Sequence, residues 1–415
     1  GVESLDATDI ARRRGRSSDT ASLLKGIPGV STYGAGGVSS LPVIRGLGDD
    51  RLRTQVDGAD IAAACPNHMN PPLSYIDPST VAAVDVYAGV TPVSVGGDSI
   101  GGTILVRSAD PTFAAAGEHL FEGEAGTFHR SNGDGWGGNL AGTFATERLS
   151  VGYTGAYARS DNYTAGDDFK DYTFTGRPGH TLPTDEVGST AYESSNQTVR
   201  LAWRSGVHLL DFGYSYQDIP EELYPNQRMD MTGNTASKFN LAYTGRLDWG
   251  TLQARAFHQR TEHEMDFGPD RRFWYGPSSG GSAAVTGAPC APLSPTCAAG
   301  MPMKADGDTT GATLNAAIQL AERGLLRVGG EFVGFRLDDW WPPSGGGMWP
   351  YEFLNVNNGK RDRYAAYGEW EIRHRQWLHV LGLRYEHVTT DAGPVHGYNT
   401  DTFPTTVAPS PGNQT

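Results

Sequence analysis

The stretch that decides the fold is residues 364–373, which read YAAYGEWEIR. Its even positions carry small, aromatic or aliphatic side chains, whereas three of its five odd positions are charged. Side chains alternate between the two faces of a β-strand, so this segment has one apolar and one charged face. Glycine, alanine and aromatic residues on the apolar face are typical of a lipid-facing wall with aromatic girdles around a wet lumen.

Two further segments alternate in the same way. In residues 326–334, Leu, Val, Gly and Phe alternate with Arg, Gly and Glu. In residues 149–157, Leu, Val and Tyr alternate with Ser, Gly and Thr. A soluble antiparallel sheet also alternates, but its apolar face would be richer in Val, Ile and Leu for dense packing. The pattern favours a mainly β protein with a transmembrane antiparallel β-barrel over a soluble sandwich.

Composition narrows the class of protein further. The 415 residues carry 33 Lys and Arg against 47 Asp and Glu, a formal charge of 33 − 47 = −14, which argues against nucleic-acid binding. No segment approaches the ~18 consecutive apolar residues of a membrane helix, which excludes a helical membrane protein. The sequence contains no phosphate-binding glycine loop, GxSxG or HExxH motif, so we do not expect an enzyme.

Residues 1–110 follow a different pattern. A short helix is predicted over Ser18–Leu24, and short β segments bounded by Gly, Pro or Asp turns come after it. The run Arg12-Arg13-Arg14 is expected on a solvated strand edge. We predict a compact α+β domain over residues 1–110 and a barrel domain over residues 111–415.

Three segments of the first domain carry a specific resemblance. They read SLLKGIPGVSTYG, PVIRGLGDDRLRTQVDG and IDPSTVAAVDVYAGVTPVSVGGDSIGGTILVRS. Across nearly all of residues 17–108 they resemble the plug domain of TonB-dependent outer-membrane receptors. The most recognisable matches are the pairs Arg45-Gly46, Asp57-Gly58 and Gly101-Gly102. We interpret these pairs as scaffold, because each glycine permits a backbone turn at positive φ.

The resemblance implies a location, partners and an architecture. It places the protein in the bacterial outer membrane, as a monomer surrounded by lipid, with the plug in the lumen and uptake driven by the TonB-ExbB-ExbD complex. No TonB box is recognisable ahead of the plug.

The barrel domain contains eleven strand candidates. They lie near residues 118–128, 138–146, 148–159, 194–204, 206–216, 238–247, 249–265, 311–321, 325–337, 362–374 and 376–388. Plugged transporter barrels have about 22 strands, so we expect roughly half of the wall here, with the C-terminal strands absent. The opening residues contain no apolar signal-peptide region, which indicates a mature or trimmed form.

One plug loop brings together unusual side chains. Residues 62–72 read AAACPNHMNPP and set Cys65, His68 and Met69 within five positions. Thiolate and thioether ligands favour Cu(I), which makes a soft-metal site one interpretation. The alternative is a small buried cysteine and a methionine that fills a gap in the core.

The strand candidate at 249–265 adds a second group. His263 and Met265 share the polar parity of this strand with Gln253, Arg255 and Thr261, while Phe257 is an apolar exception. These two side chains are therefore predicted to point into the lumen, towards the plug. At ~3.3 Å per residue they lie well beyond the apolar stretch that ends near Ala256, towards the outside of the cell.

Together, Cys-x-x-x-Met on the plug and His-x-Met on the wall resemble the copper receptors among TonB-dependent transporters. The resemblance implies a shared metal site. Cys65 would be a thiolate ligand, Met69 and Met265 thioether ligands, and His263 a neutral imidazole ligand. One anionic ligand suits Cu(I), and Cu(II) is the second choice. His68 is a candidate secondary ligand, although we prefer it beside the site or on the surface.

The remaining methionines and cysteines are also candidates for a specific role. Met229, Met231, Met301 and Met303 are candidates for secondary metal sites in extracellular loops, or for ordinary loop packing. Cys290 and Cys297 lie seven residues apart in a Pro- and Ala-rich loop, where a disulfide is plausible, and Cys65 is then the odd thiol.

Three functions stay open from the sequence. The first is a copper importer; the second is the same architecture with a siderophore or other metal chelate as its cargo. The third is a surface receptor or adhesin that does not transport.

Overall fold

The computed structural model describes residues 2–175, 177, 179–271, 274–275, 298–320, 324–345 and 352–395. The predicted disulfide between Cys290 and Cys297 lies outside these residues. In the part of the chain that the structure covers, no helix is both long and apolar enough to cross a membrane.

The larger sheet has eleven strands, as predicted. Each strand pairs antiparallel with its neighbour in chain order. The strands are β8 (Leu120–Arg130), β9 (Gly135–Ala145), β10 (Leu149–Ser160), β11 (Tyr192–Ser205), β12 (His208–Glu222), β13 (Asp230–Leu247), β14 (Gly250–Asp266), β17 (Met303–Leu320), β18 (Gly324–Trp341), β19 (Phe353–His374) and β20 (Trp377–Asp391). Within the described ranges, β8 and β20 each pair on one side only, so the eleven strands form an open sheet.

The two ends of this sheet differ in the length of their connections. Links of two or three residues join β9 to β10, β11 to β12, β13 to β14 and β19 to β20. At the opposite end the connections are longer in sequence: residues 161–191 separate β10 from β11, 223–229 separate β12 from β13, and 342–352 separate β18 from β19. Outer-membrane barrels have short periplasmic turns and long extracellular loops, so the C-terminal end of β14 lies on the extracellular side.

The alternation in residues 364–373 is confirmed by burial. Glu369 is 2% exposed on the inner face, while its neighbour Trp370 is 44% exposed on the outer face. Phe257, the exception in β14, packs inward against Ala59 of the plug and Val333 of the wall. Its inward position is therefore explained by a plug contact.

The plug is built around a five-stranded sheet. The strand order is β1 (Val2–Leu5), β6 (Ala83–Ala88), β7 (Gly102–Arg107), β4 (Leu52–Val56) and β5 (Ala59–Asp60), and β4 runs parallel to β7. A separate hairpin joins β2 (Val30–Gly34) to β3 (Ser40–Ile44). Val86, Ile104, Val56 and Leu23 are among the apolar side chains that form the core. The small strands β15 (Trp274–Tyr275) and β16 (Ala298–Ala299) pair with each other.

Two local predictions in the plug need correction. The run Arg12-Arg13-Arg14 is not a strand edge: helix α1 (Ala7–Arg13) begins after Asp6, whose side chain caps it, and this local cap overrides the charge run. The helix predicted at Ser18–Leu24 is a 3-10 helix, Thr20–Leu24, capped by Asp19.

The recognisable residue pairs of the plug form tight turns. Arg45 and Gly46 have φ of 51° and 83°, and Asp57 and Gly58 have φ of 50° and 73°. Positive φ at both central residues matches the twist of the strands that such turns join. Gly102 also has positive φ, at 143°, but Gly101 does not. Instead Gly101 permits close packing, because a Cβ there would lie 2.7 Å from the Leu52 side chain.

The plug loop that carries Cys65 lies directly against the wall. Gln217 of β12 donates to the Ser74 carbonyl at 2.7 Å, and Gln259 of β14 donates to the Ala62 carbonyl at 3.3 Å. A Cβ on Gly307 of β17 would lie 3.2 Å from the Ala64 Cβ. These contacts press the loop onto the inner face of β12, β14 and β17, next to His263.

Candidate metal centre

The plug loop presents Cys65 and Met69 on the same side. Its turn closes with a hydrogen bond from the His68 N–H to the Cys65 carbonyl at 3.0 Å, with His68 at a positive φ of 50°. The Tyr75 hydroxyl accepts from the Ala64 N–H at 3.4 Å. Cys65 is fully buried and Met69 is 5% exposed. The loop therefore holds both sulfur atoms away from water.

Without a bound cation, electrostatics keep the Cys65 thiol protonated. Burial raises the pKa of the Cys65 thiol, and the Asp339 carboxylate adds to this shift. Hydrogen bonds from the backbone N–H groups of Met69 and Asn67 act in the opposite direction. A buried thiol of this kind needs a cation to become a thiolate, as metal binding provides.

The wall supplies His263 and Met265 from the C-terminal end of strand β14. Register pairs Met265 with Met231 on β13 and with Met303 on β17, so three thioethers lie in one row. Met231 and Met303 are therefore strand residues, which corrects their prediction as loop residues. The reason is that β13 and β17 extend beyond the lipid band, where apolar alternation no longer marks a strand.

His263 has one ring nitrogen paired and the other free. Nδ1 lies 3.2 Å from the Asn234 Oδ1 of β13, whereas Nε2 is buried without a hydrogen-bond partner. The side chain is 1% exposed. Buried polar atoms are nearly always paired, and a metal-bound histidine usually donates its other N–H to a nearby oxygen. Asn234 therefore orients the His263 ring and leaves Nε2 as the nitrogen without a partner.

One buried cluster gathers the candidate sulfur ligands. We call it the sulfur cluster, and it contains Cys65, Met69, Met229, Met231, Met265 and Met303. Tyr224, Ile219 and Trp341 pack into the same core, and Met301 packs against it. The tertiary structure therefore brings both halves of the sequence pattern together.

His68 points to a different neighbour. Its Nε2 lies 3.5 Å from the Asp50 Oδ2, while its Nδ1 is buried without a partner. Burial disfavours the charged imidazole, but the hydrogen bond and charge of Asp50 outweigh it and raise the pKa of His68. Its role as a secondary ligand stays a prediction.

The candidate site depends on thioethers. Across the residues with described side chains, no three His, Cys, Asp or Glu side chains lie close enough together to hold a metal ion. One thiol, one imidazole and several thioethers form a soft donor set, which suits a monovalent soft cation better than a hard one.

Sequence reasoning missed several residues around the site. Asn234 orients His263, and the Tyr224 hydroxyl lies 3.9 Å from the Met231 sulfur. Asp339 is 1% exposed on the inner face of β18. Inward parity on β13 and β18 is the signal that could have found Asn234 and Asp339.

Comparisons with known proteins define the class. Residues 1–103 match the family described as TonB-dependent Receptor Plug Domain, and residues 184–412 match the TonB dependent receptor-like beta-barrel. The chain belongs to the TonB-dependent receptor family. Receptors of this family reside in the bacterial outer membrane, and they are transporters and not enzymes.

Several solved structures share the fold. The copper transporter OprC is 21% identical, with a TM-score of 0.74, over 96% of this chain and 58% of that chain. The FrpB iron transporter from Neisseria meningitidis (F3-3 variant) is 17% identical, with a TM-score of 0.64, over 94% and 61%. A mutant of the ferric enterobactin receptor PfeA from Pseudomonas aeruginosa is 17% identical, with a TM-score of 0.66, over 94% and 58%.

The chain thus spans about three fifths of the length of these structures. No curated protein sequence matches it. At these identities the likeness establishes the fold, and the cargo must be argued from the site.

Proposed function

We propose that this protein is a TonB-dependent outer-membrane transporter that binds copper, as Cu(I), between plug and wall and imports it to the periplasm. The observation that carries the proposal is the burial of Cys65, Met69 and Met265 in one cluster beside the unpartnered Nε2 of His263. Cu(II) is the second choice of ion.

The ligand roles follow from the donor atoms. Cys65 would bind as a thiolate, Met69 and Met265 as thioethers, and His263 through Nε2. One negative ligand balances one positive charge, and the apolar surroundings of the sulfur cluster favour a complex of low net charge. Met229, Met231 and Met303 would surround this site as packing residues.

Release would be a matter of geometry. Two ligands belong to the plug and two to the wall, so a displacement of the plug separates them. We propose that the plug domain covers residues 1–110 and the barrel residues 111–415. The TonB complex would supply the displacement by pulling on a segment ahead of the plug. A site split between two domains can bind tightly and still be emptied.

The solved structures support the architecture but not one cargo. OprC is named as a copper transporter, whereas FrpB and PfeA are named for iron and for ferric enterobactin. The soft donor set favours copper over a siderophore, because a siderophore already fills the coordination sphere of its iron. The alternative of a ferric chelate is an outcome of the experiment below.

The test is copper content of the complete protein in detergent after loading under reducing conditions. We expect one copper per protein, lost in both Cys65→Ala and His263→Ala. The matched control is His258→Ala, because His258 lies on the same strand but is exposed beside Thr310. Copper that is retained in both site variants, or never bound, would remove the copper proposal and leave a receptor for another cargo.

A further inference from the structure

Asp339 occupies an unusual position beside the candidate site. The register of the wall aligns four inward residues on adjacent strands: Asn234, His263, Ala305 and Asp339. Register shifts on both sides of Asp339 form an irregularity in the pairing of β18 with β19. Bulges of this kind often re-aim a side chain next to a functional site.

The Asp339 carboxylate is buried without a balancing charge. Oδ2 accepts from the Asn355 side chain at 2.5 Å, while Oδ1 is buried without a hydrogen-bond partner. Among the described residues, Asp339 forms no ion pair with a Lys, Arg or His side chain. A buried carboxylate without a cation is costly, and natural structures usually supply one.

Two side chains that each have an unpartnered polar atom lie on either side of one small residue. His263 Nε2 and Asp339 Oδ1 both lack partners, and they stand on either side of Ala305, which is fully buried. Two interstrand spacings of ~4.8 Å separate their strands, so their backbones lie about 10 Å apart. A cation bound by His263 would therefore lie within the field of the Asp339 carboxylate.

We propose that Asp339 is a counter-charge of the metal site: it strengthens the binding of ions that add net positive charge there, without being a ligand itself. This inference rests on the proposed function. A ligand role is not assigned, because Cys65, His263 and Asp339 do not form a compact three-ligand group in the described chain.

A counter-charge has a signature that a structural role lacks. Coulomb energy is proportional to the charge of the ion. A monovalent ion that replaces the Cys65 proton adds no net charge to the site, whereas a divalent ion adds one positive charge. Neutralising Asp339 should therefore leave the affinity for a monovalent ion nearly unchanged and weaken that for a divalent ion by a factor f. At about 10 Å and an effective dielectric constant of 20, f is about ten.

The experiment compares Asp339→Asn with the original protein, using the complete protein in detergent. The probes are Ag(I), a monovalent soft ion, and Zn(II), a divalent ion that also takes Cys and His ligands; neither changes oxidation state. We expect the affinity for Ag(I) to stay nearly unchanged and that for Zn(II) to fall about tenfold. The control is Asn355→Ala, which removes the partner and keeps the charge, so both affinities should be retained.

The outcomes separate this inference from the proposed function. Zinc affinity that is unchanged in Asp339→Asn, with silver binding lost in Cys65→Ala, would overturn the counter-charge and leave the copper site intact. Equal losses for both ions would also overturn it, since they indicate a structural role. An original protein that binds Ag(I) but no Zn(II) would overturn it as well, since the site then holds no ion whose added charge Asp339 could balance. Failure of the original protein to bind Ag(I) would remove both proposals.

Discussion

The plug meets the wall through two clusters of opposite chemistry. The sulfur cluster is apolar and lies near the extracellular end of the wall. The second, which we call the ionic cluster, consists of Arg53, Asp60, Glu331, Arg363, Arg384 and Glu386. Three arginines face three carboxylates, so its charge sums to zero. Both clusters join residues far apart in the chain, but they differ in how fully their polar atoms are paired.

The ionic cluster is densely paired. Arg53 of the plug contacts Asp60 at 2.8 Å and Glu331 of the wall at 2.9 Å. Arg363 of the wall contacts Asp60 at 2.7 Å, and Arg384 contacts Glu331 at 2.8 Å. Burial alone would raise the pKa of Asp60, but the charge and hydrogen bonds of Arg53 lower it. This cluster holds the plug in place.

The sulfur side is less completely paired. Among the described residues, His263 Nε2 and Asp339 Oδ1 have no hydrogen-bond partner and no opposite charge close by, and the Cys65 thiol is buried. In the ionic cluster Arg363 Nε also lacks a hydrogen bond, but it lies 3.6 Å from the Asp98 carboxylate. Paired polar groups stabilise a fold, whereas a buried polar atom without a partner is unusual and can still bind a ligand. The comparison teaches that the interface is divided between attachment and binding. The predictions below test this division, in order of decreasing effect.

The largest effect is expected from Arg363→Met. This change leaves Asp60 and Glu386 without one of their arginine partners, and breaking a buried pair in this way costs about 3–5 kcal/mol of unfolding free energy. The measurement is denaturant unfolding in detergent. Arg336→Met is the control: its pair with Asp362, at 2.6 Å, is much more exposed than the buried Arg363 and is worth less than about 1 kcal/mol. Copper stoichiometry should survive in both, and its loss in Arg363→Met would refute the division.

The second prediction concerns His263→Leu. Loss of a ligand should reduce copper affinity more than the 10- to 100-fold typical of residues that only support ligands, so we expect about 100-fold or more. Unfolding free energy of the metal-free protein should change by only about 1 kcal/mol, because an unpaired buried nitrogen is removed together with one hydrogen bond. Competition with a Cu(I) chelator gives the affinity. A large loss of stability with normal affinity would assign His263 to the fold.

The third prediction is the pH dependence of copper affinity. Because burial raises the pKa of the Cys65 thiol, the metal-free protein carries a protonated thiol throughout pH 6–8. Metal binding must release that proton, so affinity should rise about tenfold per pH unit over this range. Affinity titrations at three pH values check the slope. Cys65→Ala should lose this dependence, and a flat profile in the original protein would argue against thiolate binding.

The smallest effect is expected from Met229→Leu and Met303→Leu. Leucine has a similar volume to methionine, so each change should cost less than about 1.5 kcal/mol of stability. If these side chains only pack, copper stoichiometry and uptake in cells should stay unchanged. Slower uptake with normal stability would instead support a relay role for these methionines. The same pair of measurements on Met231→Leu would sharpen the result.

The sequence predicted the number of wall strands but not their length. The strand expected at 238–247 is β13, Asp230–Leu247, and the one expected at 362–374 is β19, Phe353–His374. In both cases the added residues lie at the end with the longer loops. Beyond the lipid band no face needs to be apolar, so alternation fades although the hydrogen-bond ladder continues. This is why Met231 and Met303 were expected in loops.

What the sequence by itself determined was periodic or local. Alternation defined the wall, the tight turns at Asp57-Gly58 and Arg45-Gly46 marked the plug, and Cys65-x-x-x-Met69 and His263-x-Met265 named the candidate ligands. Each of these signals depends on residues a few positions apart, where backbone geometry alone decides which face a side chain takes.

Only the tertiary structure decided which of these groups meet. Cys65 and Met265 lie about 200 residues apart, and they share a cluster because Gln217 and Gln259 hold the plug loop against the wall. Asp339 reaches the row of His263 through strand register and an irregularity in β18. Register and docking depend on contacts between distant segments, and no local pattern records them.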